Sequence, residues 1–167
     1  MNFKKLENYI DAKNYNLDFE TDGIGWTWGV SYVRLTVGQK SKFETLEHFL
    51  LSTIMSNKNI TSSINGKLNW IDNTDLKEWA KNLNVRQIKP EELNQFIVSS
   101  LHDINENLKY WTAENCIDIS FLDASKEYDN CFLINETISP RNHINTTDVY
   151  LTSDNDHYYY FEGHWES

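Results

Sequence analysis

The order of helical and strand-like apolar spacing along the chain constrains its fold most. Residues 74–83 place apolar side chains on one helical face, and a longer stripe runs from Pro90 to Leu108. Helices and strands do not alternate regularly as in parallel α/β folds. The pattern therefore predicts an α+β fold, a mostly antiparallel sheet packed against three to four helices. Strand-like segments after the second stripe are residues 116–122, 131–134, 149–151 and 158–161.

The first half of the chain begins with a helical pattern and then changes to strand spacing. Phe3, Leu6 and Ile10 lie at helical spacing, and residues 15–19 then alternate between apolar and polar. Residues 26–37 carry apolar side chains on both faces, which is typical of a central strand.

A second helix and a hairpin are expected before residue 70. Ser41 and Glu44 have the spacing of a capping box, which predicts a helix from residue 41 to about 57. Asn65-Gly66 indicates a hairpin between Ile64 and Leu68, for which a three-residue loop gives the better apolar pairing.

Length and composition predict one domain over residues 1–167. A chain of 167 residues with 40% hydrophobic residues can bury a sizeable core without metal or disulfide support. The apolar runs are too short to span a membrane, and an apolar signal segment does not follow the first lysines. Cys116 and Cys131 open apolar runs, as buried thiols do in a reducing compartment. We therefore expect a cytoplasmic protein.

Negative charge is concentrated in the second half of the chain. Residues 1–89 hold twelve Lys and Arg against ten Asp and Glu, whereas residues 90–167 hold three against fifteen. Such a region would repel nucleic acid and anionic membrane surfaces. It would attract a basic protein partner, because complementary potentials accelerate encounter. The same acidity could alternatively serve solubility alone.

The motifs of common active sites are missing from the sequence. His157 and His164 are separated by six residues, beside a flexible glycine, which is poor spacing for a metal site. The sequence lacks a serine-nucleophile elbow, a Walker lysine and a dinucleotide-binding glycine motif. We predict no catalytic residue, no metal and no cofactor. The alternative is a small hydrolase or ligand-binding domain with paired carboxylates in a cleft lined by Trp26, Trp28 and Tyr32.

The last twenty residues mix aromatic and acidic side chains. In a strand, Tyr158 and Tyr160 face one way and Tyr159 and Phe161 the other, so one face could remain exposed. Tyrosine and tryptophan anchor protein interfaces, and carboxylates provide a rim for Lys and Arg. An ordinary edge strand with an acidic surface is the alternative interpretation. The predicted partner-binding residues are Asp148, Asp154, Asp156, Tyr158, Tyr160, Glu162 and Trp165.

A chain of this size, acidity and aromatic content, without a catalytic motif, resembles the immunity proteins that protect bacteria from toxins. These include the immunity proteins of contact-dependent growth inhibition. The resemblance rests on whole-chain properties and transfers no family residue to this sequence. It implies a cytosolic inhibitor whose partner is a cognate nuclease toxin domain with a basic active site. It leaves the toxin, its contacts and the oligomeric state open.

Overall fold

The computed structural model describes residues 1–17, 24–28, 31–56, 73–108, 126–136 and 146–165. Four α-helices lie in these ranges: α1 (Phe3–Ala12), α2 (Leu46–Ser56), α3 (Asn73–Asn82) and α4 (Pro90–Leu108). A short 3-10 turn, Lys40–Lys42, precedes α2.

Six strands form one antiparallel sheet. Its order is β1-β2-β6-β5-β4-β3, so the last strand of the chain lies in the middle, between β2 and β5. The combination of this sheet with four helices confirms the predicted α+β fold. The strands are β1 (Ile24–Trp28), β2 (Ser31–Gln39), β3 (Leu83–Gln87), β4 (Asp129–Glu136), β5 (Thr146–Ser153) and β6 (His157–Trp165).

Helices cover both faces of the sheet, and a separate apolar cluster fills each interface. Helices α1, α2 and α3 pack on one face, where Leu151 and Tyr160 belong to the same buried cluster as Leu6 and Phe49. On the other face, the buried cluster joins Leu93 and Ile97 of α4 to residues of β2, β4 and β6. We call these the α1–α3 face and the α4 face. Because neighbouring residues of a strand point to opposite faces, β4, β5 and β6 contribute to both clusters.

The N-terminus of α2 differs from the prediction. Ser41 lies in the 3-10 turn, and α2 begins at Leu46 rather than near residue 41. The backbone N–H of His48 donates to Thr45 Oγ1, and the backbone N–H of Glu44 donates to His48 Nδ1, both at 3.2 Å. The capping box predicted at Ser41 is therefore wrong: Thr45 caps the helix four residues later, and the His48 side chain accepts the N–H of Glu44 just before it.

Two other predicted boundaries also change. The single strand predicted over residues 26–37 is two strands, β1 at the sheet edge and β2 inside the sheet. Leu83, predicted as part of the α3 stripe, is the first residue of β3. Helical spacing continues through Leu83 because its side chain is still buried in the cluster that holds Leu76 and Trp79. The predicted hairpin at 64–68 and the strand at 116–122, including Cys116, lie outside the described residues, as do the last residues of the strand predicted at 15–19.

Gly38 allows α2 to approach the sheet closely. It lies in β2 opposite Tyr158 of β6. A Cβ atom at this position would lie 2.6 Å from ring carbons of both Phe43 and Phe49. These rings pack edge to face with centroids 5.2 Å apart, so neither can withdraw without disturbing the other. Glycine is therefore required here for space.

We expect Gly38→Ala to lower the free energy of unfolding by about 1–3 kcal/mol, because an added methyl group must displace two packed aromatic rings. Urea denaturation followed by tryptophan fluorescence measures this change. The matched control is Ser41→Ala at an exposed position nearby, which should change stability by less than about 0.5 kcal/mol. Equal stability of the Gly38→Ala variant and the wild type would contradict this account of the packing.

Candidate protein-interaction surface

Strand β6 is buried on both faces. Tyr159, Tyr160 and Phe161 are each 5% exposed or less, and Glu162 is 3% exposed. The prediction that one face of this strand leaves tyrosines exposed is therefore wrong. The alternative interpretation, an ordinary edge strand, is also wrong, because β6 lies in the middle of the sheet between β2 and β5 and helices cover both of its sides.

Tyr158 is partly accessible to solvent, but its ring also packs against residues of the core. Its ring stacks on Phe49 at a centroid distance of 5.6 Å and meets the edge of Phe43. Lys40 Nζ lies 5.4 Å from the Tyr158 ring centroid, which places a cation over its outer side. Tyr158 is thus a half-buried residue at the margin of the α1–α3 face.

Asp154 organises the turn between β5 and β6. Its Oδ1 accepts the backbone N–H groups of Asp156 at 2.8 Å and His157 at 2.7 Å. Its Oδ2 accepts the Tyr159 hydroxyl at 2.6 Å and pairs with Lys126 Nζ at 2.7 Å. Both carboxylate oxygens are therefore engaged within the protein, and the charge of Asp154 is balanced locally.

The protonation behaviour of this cluster follows from its contacts. Burial alone would raise the pKa of Asp154, but the bonds from Lys126, Tyr159 and the turn backbone outweigh burial and hold it well below its usual range. Burial likewise opposes the charge of Lys126, yet Asp154 and Tyr159 raise the pKa of its ammonium group. Lys126 and Asp154 are a structural ion pair that fastens residues 126–128 to the turn.

The seven predicted residues do not form one patch. Tyr158, Tyr160 and Glu162 alternate along β6 toward the α1–α3 face, whereas Asp148, paired with Gly163, lies on the opposite face. Asp154 and the exposed Asp156 lie in the turn between the strands. Trp165 pairs with Thr146 at the end of β6, and its side chain lies outside the described residues.

Of a group of acidic residues near the α4 face, the sequence predicted only Asp148 as a partner-binding residue. Burial raises the pKa of Tyr150, and the nearby charges of Asp148 and Glu92 add to the shift. Burial also raises the pKa of the Cys131 thiol, and the carboxylates of Asp129 and Glu91 contribute in the same direction. We call Glu91, Glu92, Asp129 and Asp148 the acidic rim.

Two residues of the acidic rim, Asp148 and Glu92, lie near Tyr150, which is one ring of a stacked aromatic pair, and the other two, Asp129 and Glu91, lie near Cys131. The rings of Phe96 and Tyr150 lie 4.3 Å apart at 27°, and both side chains are half-buried. Leu133 lies beside Tyr150 on the neighbouring strand. Arg86 donates to Glu92 at 3.0 Å and balances one of the four carboxylates. The sequence indicated that the acids at the start of α4 interact favourably with the helix dipole. It did not indicate the strand register that places Asp129 and Asp148 on the same face.

The side chains of Trp26, Trp28 and Tyr32, predicted to line a carboxylate cleft, lie outside the described residues. A cavity of about 210 Å³ lies between α1, α3 and β3, lined by Phe3, Glu7, Ala80, Lys81 and Leu83. It contains one carboxylate, whereas acid-base hydrolysis with paired carboxylates requires two. Within the described ranges, His, Cys, Asp and Glu side chains form no group of three or more that could hold a metal ion. In the same ranges, no helix has the length and apolar character needed to cross a bilayer.

We expect Asp154→Asn to lower the free energy of unfolding at neutral pH by about 1–3 kcal/mol, since Lys126 and Tyr159 lose their charged acceptor. The folded pKa of Asp154 is depressed, so its stabilisation is complete above the ordinary value of 3.8 and is lost as pH falls below it. Urea denaturation at several pH values checks both points. Asp156→Asn, two residues away and exposed, is the control and should remain close to wild type. A neutral-pH stability equal to that of the wild type would show that the cluster is not structural.

Comparison with known proteins identified no relative. A scan against protein-family models, a search of curated proteins and a search of solved structures each returned no match.

Proposed function

We propose that this protein is a cytosolic inhibitor of the immunity type that binds a basic toxin domain, a nuclease, and blocks its active site. The acidic rim near the half-buried Phe96–Tyr150 pair carries this proposal. Glu91 and Asp129 are exposed, and Glu92 and Asp148 are partly exposed. Such a surface offers both charge and an apolar centre to a cationic partner.

The proposed mechanism separates encounter from anchoring. The acidic second half of the chain attracts a positively charged surface and orients it during approach. The aromatic pair then supplies apolar area that loses water on contact, as anchor residues do at the centres of interfaces. Carboxylates at the rim form charge-assisted hydrogen bonds with Lys or Arg of the toxin. In a nuclease active site, these carboxylates would occupy positions that otherwise hold substrate phosphates.

The contacts of each carboxylate decide whether reversing its charge tests partner binding or disturbs folding. Asp154 is held by Lys126 and Tyr159, and Glu162 is buried, so reversing either charge would disturb folding as well as binding. Glu91 and Asp129 are exposed, and their described side chains are not tied into such a network. They therefore test partner binding with less risk to the fold.

The first test concerns the partner itself. The toxin of an immunity protein is commonly encoded beside it, so we expect the reading frame directly upstream to arrest growth when its C-terminal domain is expressed alone. Co-expression of this protein should restore growth, and the two proteins should elute together in gel filtration. If the upstream product is harmless, or remains toxic in the presence of this protein, the proposal fails.

The second test concerns the surface. We expect Glu91→Lys combined with Asp129→Lys to slow association with the toxin domain by about tenfold or more at low salt, because both substitutions reverse the steering field. Raising salt from about 50 mM to about 500 mM should slow the wild type and shrink this difference. Stopped-flow fluorescence measures the association rate.

The matched control for this reversal lies on the other face of the sheet. Glu78 is exposed on α3, so Glu78→Lys, compared with Glu91→Lys alone, changes the net charge equally but away from the acidic rim. We expect the Glu78 variant to associate more nearly at the wild-type rate. If both single reversals slow association equally, net charge matters and the acidic rim does not.

A further inference from the structure

His48 replaces the usual glutamate in the capping box of α2. Thr45 accepts the His48 backbone N–H, and His48 Nδ1 accepts the Glu44 backbone N–H, each at 3.2 Å. In the common form of this motif, a glutamate or glutamine accepts the N–H of the cap residue itself, whereas His48 accepts the N–H of Glu44, one residue before the cap residue Thr45. A glutamine cannot lose this capacity at mildly acidic pH, whereas an imidazole nitrogen loses it once it is protonated.

The imidazole of His48 is enclosed in the protein. The residue is 5% exposed, its ring stacks on Tyr9 with centroids 5.0 Å apart, and Phe43 meets it edge-on at 5.7 Å. Because Nδ1 accepts a hydrogen bond, the proton of the neutral ring resides on Nε2. That Nε2 is buried and has no hydrogen-bond partner among the described residues. The neutral ring leaves one N–H without an acceptor among the described residues, and a charged ring would leave two.

Protonation of Nδ1 would break the bond from Glu44 and leave the Thr45 bond in place. The new N–H would face the N–H of Glu44, so that two donors would oppose each other. The positive charge would also lie beside the N-terminus of α2, where the helix dipole disfavours cations. Burial lowers the pKa of His48, and the charge of Glu44 opposes this shift without reversing it.

Other ionisable groups surround the cap on every packed element. Glu44 and Glu47 come from the segment around the start of α2, Tyr9 from α1 and Tyr158 from β6. Lys40 lies over the Tyr158 ring. The carboxylate of Glu44 favours a charged histidine, while burial and the helix terminus disfavour it.

The same residues attach α1 to α2. The Tyr9 hydroxyl donates to Glu44 Oε2 at 3.1 Å, and the Thr45 hydroxyl donates to the Tyr9 oxygen at 3.3 Å. Asn14 Nδ2 donates to Glu44 Oε1 at 3.3 Å, and the backbone N–H of Asn2 donates to Glu47 Oε1 at 2.5 Å. Loss of the His48 cap would therefore disturb the positions of Glu44 and Thr45, which hold Tyr9.

We propose that His48 is a pH-sensitive latch, closed when its neutral ring accepts the Glu44 N–H, and opened by protonation, which loosens the attachment of α1 to α2. Helix α1 would still pack on α3, where Lys77 pairs with Asp11, so opening weakens one side of the α1 contacts around the buried Leu6 and Ile10. The latch lies on the α1–α3 face, away from the acidic rim on the α4 face, so it does not depend on the proposed inhibitor function.

The direction of the pH effect follows from the lowered pKa. A histidine whose folded pKa lies below its ordinary value of 6.5 contributes stability that is complete above 6.5 and declines as pH falls below it. Uptake of one proton on opening can change the opening equilibrium by at most about tenfold per pH unit. The latch should therefore respond between neutral and mildly acidic pH.

Hydrogen exchange of the full chain tests the latch. We expect protection of the α1 amides, corrected for intrinsic exchange rates, to fall by up to about tenfold between about pH 7.5 and about pH 5.5. His48→Gln keeps a neutral acceptor at the cap and should remove this pH dependence. His102→Gln changes an exposed histidine of α4 and should behave as the wild type. Wild-type protection that does not change with pH, or a His48→Gln variant with the same dependence, would overturn the proposal.

Nuclear magnetic resonance of the wild-type chain gives a second test that needs no substitution. The nitrogen shifts of His48 should report the tautomer with the proton on Nε2, and its titration midpoint should lie below 6.5. A midpoint at or above 6.5, or a proton on Nδ1, would exclude the latch even if the His48→Gln variant failed to fold.

Discussion

The pairing of β2 with β6 is the interaction on which the rest of the structure depends. It joins an early strand to the last strand over the register from Tyr32↔His164 to Gln39↔His157. Because β6 lies in the middle of the sheet, its side chains enter both apolar clusters, Tyr160 on the α1–α3 face and Phe161 on the α4 face. Loss of this pairing would therefore uncover both cores together. Closing so long a loop is entropically costly, and the burial of aromatic side chains on both faces offsets that cost.

The central position of β6 also decides which carboxylates can meet a partner. Glu162 is buried with the strand, and Asp154 is neutralised by Lys126, so two of the acids nearest the C-terminus are occupied within the fold. The acids that remain accessible on the α4 face, such as Glu91 and Asp129, are brought together by helix packing and strand register. Some carboxylates in the second half of the sequence are thus buried or paired within the fold, and others remain accessible to a partner. Counting charges along the chain cannot make this division, because it depends on contacts across strands.

The sequence predicted the fold class and most helices and strands correctly. In these elements the spacing of the apolar residues matches the face that the element buries. The stripe from Pro90 matches α4, and the alternation in 158–161 matches β6. Strand β3 was missed because it has five residues between two helices, and its first residue, Leu83, continues the apolar spacing of α3. The cap of α2 was misplaced because Ser41 and Glu44 fit the usual motif, whereas a histidine at position 48 does not. Exposure of the β6 tyrosines could not be judged, since strand order in the sheet is not encoded in local alternation.

The acidic rim and the His48 latch lie on opposite faces of the sheet. The effects of substitutions at the two sites on stability can therefore be measured separately. Tyr158 points toward Phe43 and Phe49 beside the His48 cap, whereas Tyr159, the next residue, points toward Tyr128 and Asp154. Substitutions at sites without shared contacts generally add within about 0.5 kcal/mol. Changes at His48 should therefore leave the acidic rim intact unless they reach it through the sheet. Among the described elements, β5 and β6 both contact α2, and β5 also carries Asp148 and Tyr150, so coupling between acid-induced opening and partner binding would pass through these two strands.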